Sequence, residues 1–417
     1  MQLFPLITLL IVASAVFGYV NVRFLKLPSV IGLMLLSLFF TLGWLGFGQF
    51  HPNWLAMTRE MVDGLHFREA LMDILLSFLL FAGALHTDWN RLQKYRGPIL
   101  AFATLGVVLN AALSGGFFYA LTRAVGVDVP LLHCFIFGAI IAPTDPVAVL
   151  GLLKNAGAPQ KLEIKFVGES LFNDGVGVVV FLTLVGIASA GADESNGAAS
   201  IAGLFVQEVG GGLVLGLGLG WIVTRMMDTI DHYETEILLT LALVMGGYVL
   251  ASAFHFSGPL AVVAGGLLVG NAGRLRAMSD TTLRYLDKFW ELLDGLLNAV
   301  LFVFIGLEVL VVPFDRQSLL VGLAAIPIAV LARYLALAPP VYFFRRRLDF
   351  AKGTHVLLTW GGLRGGISIA LALSLTDGLS RELLLPVTYT VVIFSIAVQG
   401  LSLPALVKKK GLKSAHA

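Results

Sequence analysis

The chain has 417 residues, of which 58% are hydrophobic and only 13% charged; its mean hydropathy is +0.89 and its formal net charge +2. That is too apolar for a soluble globule. The charge balance gives no reason to expect a nucleic-acid partner. Long apolar runs recur to the last dozen residues, so the sequence reads as an all-α polytopic membrane protein.

At about 20 apolar residues per span, the sequence predicts thirteen transmembrane helices. They lie at about 3–21, 29–47, 71–88, 99–123, 131–153, 162–189, 202–224, 235–254, 257–271, 286–312, 318–343, 354–376 and 383–407. The first is followed by Asn21, Arg23 and Lys26 rather than by a small-residue cleavage site, which predicts a retained span and not a signal peptide. Residues 48–70 read as a mixed interfacial connection. Only His255 to Pro259 divides the eighth span from the ninth. The glycine-rich run 210–220 and Gly362–Gly366 read as helix-packing or break positions. The single cysteine, Cys134, excludes an intrachain disulfide. No phosphate loop, zinc spacing or nucleophile elbow is present, so an enzyme is not expected, nor is a cofactor.

Orientation follows from the basic residues of alternate loops. With the side bearing Lys408-Lys409-Lys410 taken as cytoplasmic, twenty Lys and Arg fall on that side and five on the other (Arg59, Arg68, Arg123, Arg316 and Arg381). A miscounted helix would scramble the split. An outside N-terminus and a cytoplasmic C-terminus are therefore expected.

Residues 135–184 hold acid where a lipid-facing helix should have none. Pro143-Thr144-Asp145-Pro146 should unwind the fifth span, since proline lacks an N–H and clashes with the preceding turn. Unwound backbone at membrane depth is tolerated only inside protein or beside water. A second weak point, Trp360 to Gly366, interrupts the twelfth span. Paired interruptions in two halves point to a midplane transporter site and suggest two inverted six-helix repeats joined by the seventh span.

Four charges lie near the middle of the bilayer: Asp145 about fourteen residues into its span, Asp174 about twelve, Arg333 about fifteen and Arg364 about ten. An ionisable residue at that depth is a functional candidate. On the sixth helix Ser170 and Asp174 share one face, and Glu169 and Asn173 the adjacent one. Ser170 and Asp174 can therefore point at the broken helix, leaving Glu169 to meet an arginine. The desolvated Asp174 carboxylate, the Thr144 and Ser170 hydroxyls and the unwound carbonyls make a hard-oxygen set where a proton and a cation such as Na⁺ compete. Asp145 fits either this set or a cap on freed N–H groups. Arg333 and Arg364 read as charge compensators. Glu308 reads as an interfacial carboxylate, and Lys288, Glu291 and Asp294 as a cytoplasmic-side cluster that solvates itself.

These residues carry a resemblance. PTDPVAV, GESLFNDG, SGPLAVVAGGLLVGN, FVFIGLE and WGGLRGGISIALALSL, spread from about Leu27 to Leu406, resemble the NhaP/NHE branch of the monovalent cation/proton antiporters. The resemblance implies an NhaA-like fold: thirteen helices, with two broken, crossing ones. It divides the chain into scaffold or dimer helices in 1–98, core helices in 99–189, linker and scaffold helices in 190–312, core helices in 313–407 and a short basic tail, 408–417. It implies that Asp174 binds the ion or proton, with Thr144, Asp145 and Ser170 around it. It also implies that Asn173, in place of a second acid, marks an electroneutral exchanger, and that Glu169 pairs with Arg333. Asn298 and Asp294 are candidate partners for Arg364. Tail-binding regulators are not expected, since the chain stops about ten residues past the last span.

The expected function is electroneutral Na⁺(Li⁺)/H⁺ antiport by a homodimer of a bacterial inner membrane. The core moves against the scaffold, and Asp174 exchanges one ion for one proton. The rivals are K⁺/H⁺ exchange, a passive cation channel, disfavoured because no ring-forming filter is visible, and a sodium-coupled symporter, disfavoured because no polar substrate pocket is visible.

Overall fold

The computed structural model describes residues 3–63, 67–87, 101–145, 149, 152–153, 160–189, 198–274, 277–344 and 353–409. All regular structure among them is helical, with no strand. The first elements are α1 (Leu3–Val20), α2 (Ser29–Gly48), α3 (Pro52–Asp63), α4 (Phe67–Leu85), α5 (Val107–Val125), α6 (Leu131–Ile140), α7 (Gln160–Ser189) and α8 (Ala198–Met227). They are followed by α9 (Tyr233–Ala253), α10 (Gly258–Leu268), α11 (Asp280–Glu308), α12 (Arg316–Phe344), α13 (Thr354–Trp360), α14 (Gly366–Leu373), α15 (Arg381–Phe394) and α16 (Leu401–Lys409). A π-helical turn, Ser395–Gly400, joins α15 to α16.

Local chemistry sets the helix ends. Ser257 caps α10 by accepting from the Leu260 amide, with Pro259 in the first turn, so the short boundary motif does separate two helices. Helix α11 begins six residues before the expected 286, because Ser279 accepts from the Thr282 amide and caps it there. The connection 48–70 contains a full helix, α3. Gly126 ends α5 in the left-handed region, with φ +77°.

Among the described residues, eight helical stretches are long and apolar enough to cross a bilayer. Shorter apolar helices occur at Leu75–Leu85, Leu131–Ile140, Asn173–Ala188 and Gly258–Gly273. The expected fifth and twelfth spans are not continuous helices: α6 stops at Ile140, and α13 is parted from α14 by residues 361–365.

Two packing groups form. In one, α6 lies along α5, α12 packs against α5 and α15, and α7, α13 and α14 attach to these. In the other, α10 lies between α8, α9 and α4, while α11 packs on α1, α2 and α4. The glycine-rich run of α8 is a packing surface: Gly212, Gly216 and Gly220 lie against Ser257, Ala261 and Gly265 of α10, close enough to leave no room for side chains. Trp290 of α11 is fully buried against Phe78 and Phe81 and donates its indole N–H to Thr240 at 3.1 Å. Glu308 ends α11 at 1% exposure, within the buried Phe302–Leu310 stretch.

Candidate ion-binding site

The two helix interruptions touch. Irregular residues 141–145 follow α6, and the Asp145 amide donates to the Leu363 carbonyl of the second interruption at 2.8 Å. In return, the Arg364 guanidinium donates to the carbonyls of Ala142 and Pro143 at 3.4 and 3.5 Å. The Arg364 amide donates to Ser395 Oγ at 2.9 Å. Backbone groups released by the prolines and glycines are thus satisfied by the opposite break, as a water-poor setting requires. A Cβ at Gly365 would stand 2.6 Å from Asp145 Oδ2, so that glycine admits the half-buried Asp145 against the second break.

Helix α7 completes the site. Asn173 is 1% and Asp174 3% exposed. Asn173 Nδ2 donates to Thr144 Oγ1 at 3.1 Å, and the Thr144 amide faces the Asp174 carboxylate. Asp174 Oδ1 and Asn173 Oδ1 are buried without a hydrogen-bond partner among the described residues. This close approach depends on Gly177, where a Cβ would lie 2.6 Å from Pro143 Cγ. Asp145 is within electrostatic reach of both Asp174 and Asp294.

Thr144, Asp145, Asn173, Asp174 and Arg364 therefore come together. Arg333, 4% exposed, donates Nε–H to the Leu358 carbonyl at 3.2 Å and fills the space a side chain at Gly362 would take. Glu169 and Ser170 lie within α7, but their side chains fall outside the described residues, and the Glu169–Arg333 pair with them. Asn298, a candidate partner for Arg364, donates to Asp294, the other candidate, at 3.1 Å. Ser395 and Gln399 were not singled out from sequence. A serine and a glutamine four apart in the last span were the available signal, among Thr388, Thr390 and Ser402 of the same span.

An unpartnered carboxylate oxygen beside a hydroxyl and unwound backbone is a hard-oxygen site for a small cation or a proton. Set where two interrupted helices meet inside a polytopic bundle, it defines the class: a secondary transporter. The chain belongs to the sodium/hydrogen exchanger family, whose transmembrane family model matches residues 11–409. It is 46% identical over 409 residues to the Na⁺/H⁺ antiporter NhaP of Pseudomonas aeruginosa, covering 97% of this chain and 96% of that one. It is 32% identical to the Na⁺/H⁺ antiporter NhaH of Halobacillus aidingensis, with 97% of each covered. Its fold is similar to that of the sodium proton antiporter MjNhaP1 of Methanocaldococcus jannaschii, with a TM-score of 0.77 over 97% of this chain and 98% of that one, at 22% identity.

Proposed function

We propose that this protein is an electroneutral Na⁺(Li⁺)/H⁺ antiporter that exchanges one ion for one proton at Asp174. The observation that carries the reading is the Asp174 carboxylate, 3% exposed, with one oxygen unpartnered among the described residues at the contact of the two helix breaks. A buried carboxylate without a fixed cation is stable only if it takes up a proton or a metal ion. Either carries one positive charge, so the two compete and the return legs of the cycle cancel in charge. The neutral Asn173, bonded to Thr144, supplies no second titrating acid beside it. The relatives named as Na⁺/H⁺ antiporters support the choice of ions.

The mechanism follows from the break geometry. Thr144 Oγ1, an Asp174 oxygen, the Ser170 hydroxyl and carbonyls of the unwound turn receive Na⁺. Arg364 neutralises the carbonyl end of α6, and Asp145 stands beside the pair as an auxiliary charge. Glu169 and Arg333 form a structural ion pair.

The full architecture in this reading has thirteen spans in inverted repeats with two crossed, broken helices, as in an NhaA-like fold. The packing of α5–α7 with α12–α15, and of α1, α2 and α4 with α8–α11, supports a core moving against a scaffold. The scaffold forms a homodimer in a bacterial inner membrane, with the N-terminus outside and the C-terminus in the cytoplasm.

The test is dissipation of a pH gradient in proteoliposomes on adding Na⁺, Li⁺ or K⁺, with and without a protonophore. Dissipation by Na⁺ or Li⁺ that needs no compensating leak is the expected result. If K⁺ alone works, the substrate assignment fails. If exchange builds a membrane potential, electroneutrality fails and Asp145 becomes the next acid to examine. Ionic current under a voltage step without exchange would make the protein a channel.

A further inference from the structure

We infer that the π-helical turn Ser395–Gly400, through Ser395 and Gln399, is a positioning device that holds Arg364 in its working place at the two helix breaks. The inference rests on the antiport reading for its transport consequences and on geometry alone for its structural ones.

The second break must present Arg364 in one arrangement. Its guanidinium reaches the Ala142 and Pro143 carbonyls, 222 and 221 residues away in sequence. The residues around it restrict the backbone little, because three of the five between α13 and α14 are glycines, Gly361, Gly362 and Gly365. Glycines leave the chain many alternatives. The amides of Gly361, Gly362 and Leu363 bond locally, and two further bonds tie the break to other elements: the Leu363 carbonyl accepts from Asp145, and the Arg364 amide donates to Ser395 Oγ. The second is a side-chain bond, 2.9 Å long, from a serine only 1% exposed.

The π turn explains how α15 can offer that oxygen. A π-helical segment packs more residues into a turn than an α-helix, which re-aims side chains, and such segments concentrate at functional sites. Here Ser395 and Gln399 both turn to the break. Gln399, 4% exposed, lines a void of about 10 Å³ together with Arg333, Arg364, Thr359 and Gly362. Gly400 of the same turn lies against Ile31 of α2, so the device also touches the other packing group.

The consequence concerns competition at the ion site. The Arg364 guanidinium is an internal cation already seated on carbonyls of the unwound turn that carries Asp145, which in turn acts electrostatically on Asp174 and Asp294; Arg333 lines the same small void as Arg364. Loosening it moves a positive charge relative to the carboxylate that binds the transported ion, and it frees carbonyls to shift. Ser395 therefore sets ion affinity and pH response without touching the ion.

The test compares Ser395→Ala with Ser395→Thr, which keeps the acceptor oxygen. Amide hydrogen exchange across 361–366 in purified protein reads the bond directly and needs no transport. S395A should exchange at least several-fold faster there and S395T should stay near wild type. In proteoliposomes, S395A should change the apparent KM for Na⁺ at least threefold and displace the pH profile, with S395T restoring both. Unchanged exchange rates at 361–366 in S395A would overturn the positioning role outright. So would a loss of maximal rate alone, with KM and pH profile intact, or equal impairment of S395A and S395T. If S395A does not fold, Gln399→Leu, which preserves volume and removes the amide, must produce the same KM and pH displacement, and failure to do so overturns the proposal. Wild-type protein inert to Na⁺, Li⁺ and K⁺ would instead refute the antiport reading, while the hydrogen-exchange comparison would still decide the structural claim.

Discussion

At the scale of single residues, the site turns on one carboxylate. Replacing Asp174 by Asn keeps the shape of the side chain and removes its charge, so the protein should fold normally while Na⁺-dependent proton movement falls to the level of empty liposomes. Retained exchange would remove Asp174 from the mechanism. Asp174 could be read from the sequence because a bilayer makes every intramembrane acid conspicuous. Thr144 and Asn173 could be read because they adjoin acids in distinctive strings. Ser395 could not. A serine in an apolar helix has many bland uses, and its partner, the Arg364 amide, lies 31 positions away in sequence. The acceptors of Arg364 escaped for a related reason. Sequence reasoning sought a side chain for the guanidinium, and the structure supplies carbonyls exposed by a helix break, which carry no residue-type signature.

At the scale of elements, the prolines and glycines that announce the breaks also set how closely their neighbours approach. Gly177 is the tightest test. Because a Cβ there would stand 2.6 Å from Pro143 Cγ, Gly177→Ala must push α7 away from the first break or distort the proline. The expected loss is about 1–3 kcal/mol of stability, the usual scale of overpacking, with a parallel fall in exchange. Thermal melting in detergent checks the first and the liposome assay the second. An unaltered melting temperature would mean that α7 and the break are not in register. A second element-level test lies at the start of α12. Asp315 accepts from the amides of Ser318 at 3.0 Å and Gln317 at 3.3 Å, and its own amide donates to Ser318 Oγ. Hydrogen bonds from Ser318, then Gln317, hold its carboxyl below the ordinary Asp value. A lowered folded value means the stabilisation is present above about pH 3.9 and is lost as pH falls through the folded value. Melting wild type and Asp315→Asn from pH 6 down to pH 3 should show the wild-type advantage shrinking towards the acid end. A constant difference would assign the cap to hydrogen-bond geometry alone. Capping by Asp315 and Ser279 was also what the span boundaries missed. Apolar periodicity locates the buried middle of a helix, whereas polar caps extend α11 back to Asp280 and α12 to Arg316.

At the scale of the whole molecule, the two groups of helices meet through sparse contacts among the described residues. Helix α7 contacts α8, α10 and α4 more sparsely than it contacts α6, and α14 meets α11 and α4 through few residues. Such lightly packed boundaries suit sliding of one group against the other. Sliding is useful only if the two faces of the site open to opposite sides, so the orientation of the chain is a mechanistic question, and the distribution of Lys and Arg makes it a testable one. The native Cys134 is fully buried and will not react in folded protein, so introduced cysteines can be scored one at a time. Under the proposed orientation Gln317, exposed in the first turn of α12, falls on the outer side and Thr229, exposed between α8 and α9, on the cytoplasmic side. In intact cells a membrane-impermeant maleimide should label Gln317→Cys at once and Thr229→Cys only after permeabilisation. Reversal of the two would invert the topology and with it the direction of exchange inferred for the cell. Labelling of both from one side would mean that an odd number of spans does not separate them, and the thirteen-helix arrangement with its paired breaks would have to be redrawn around a different symmetry.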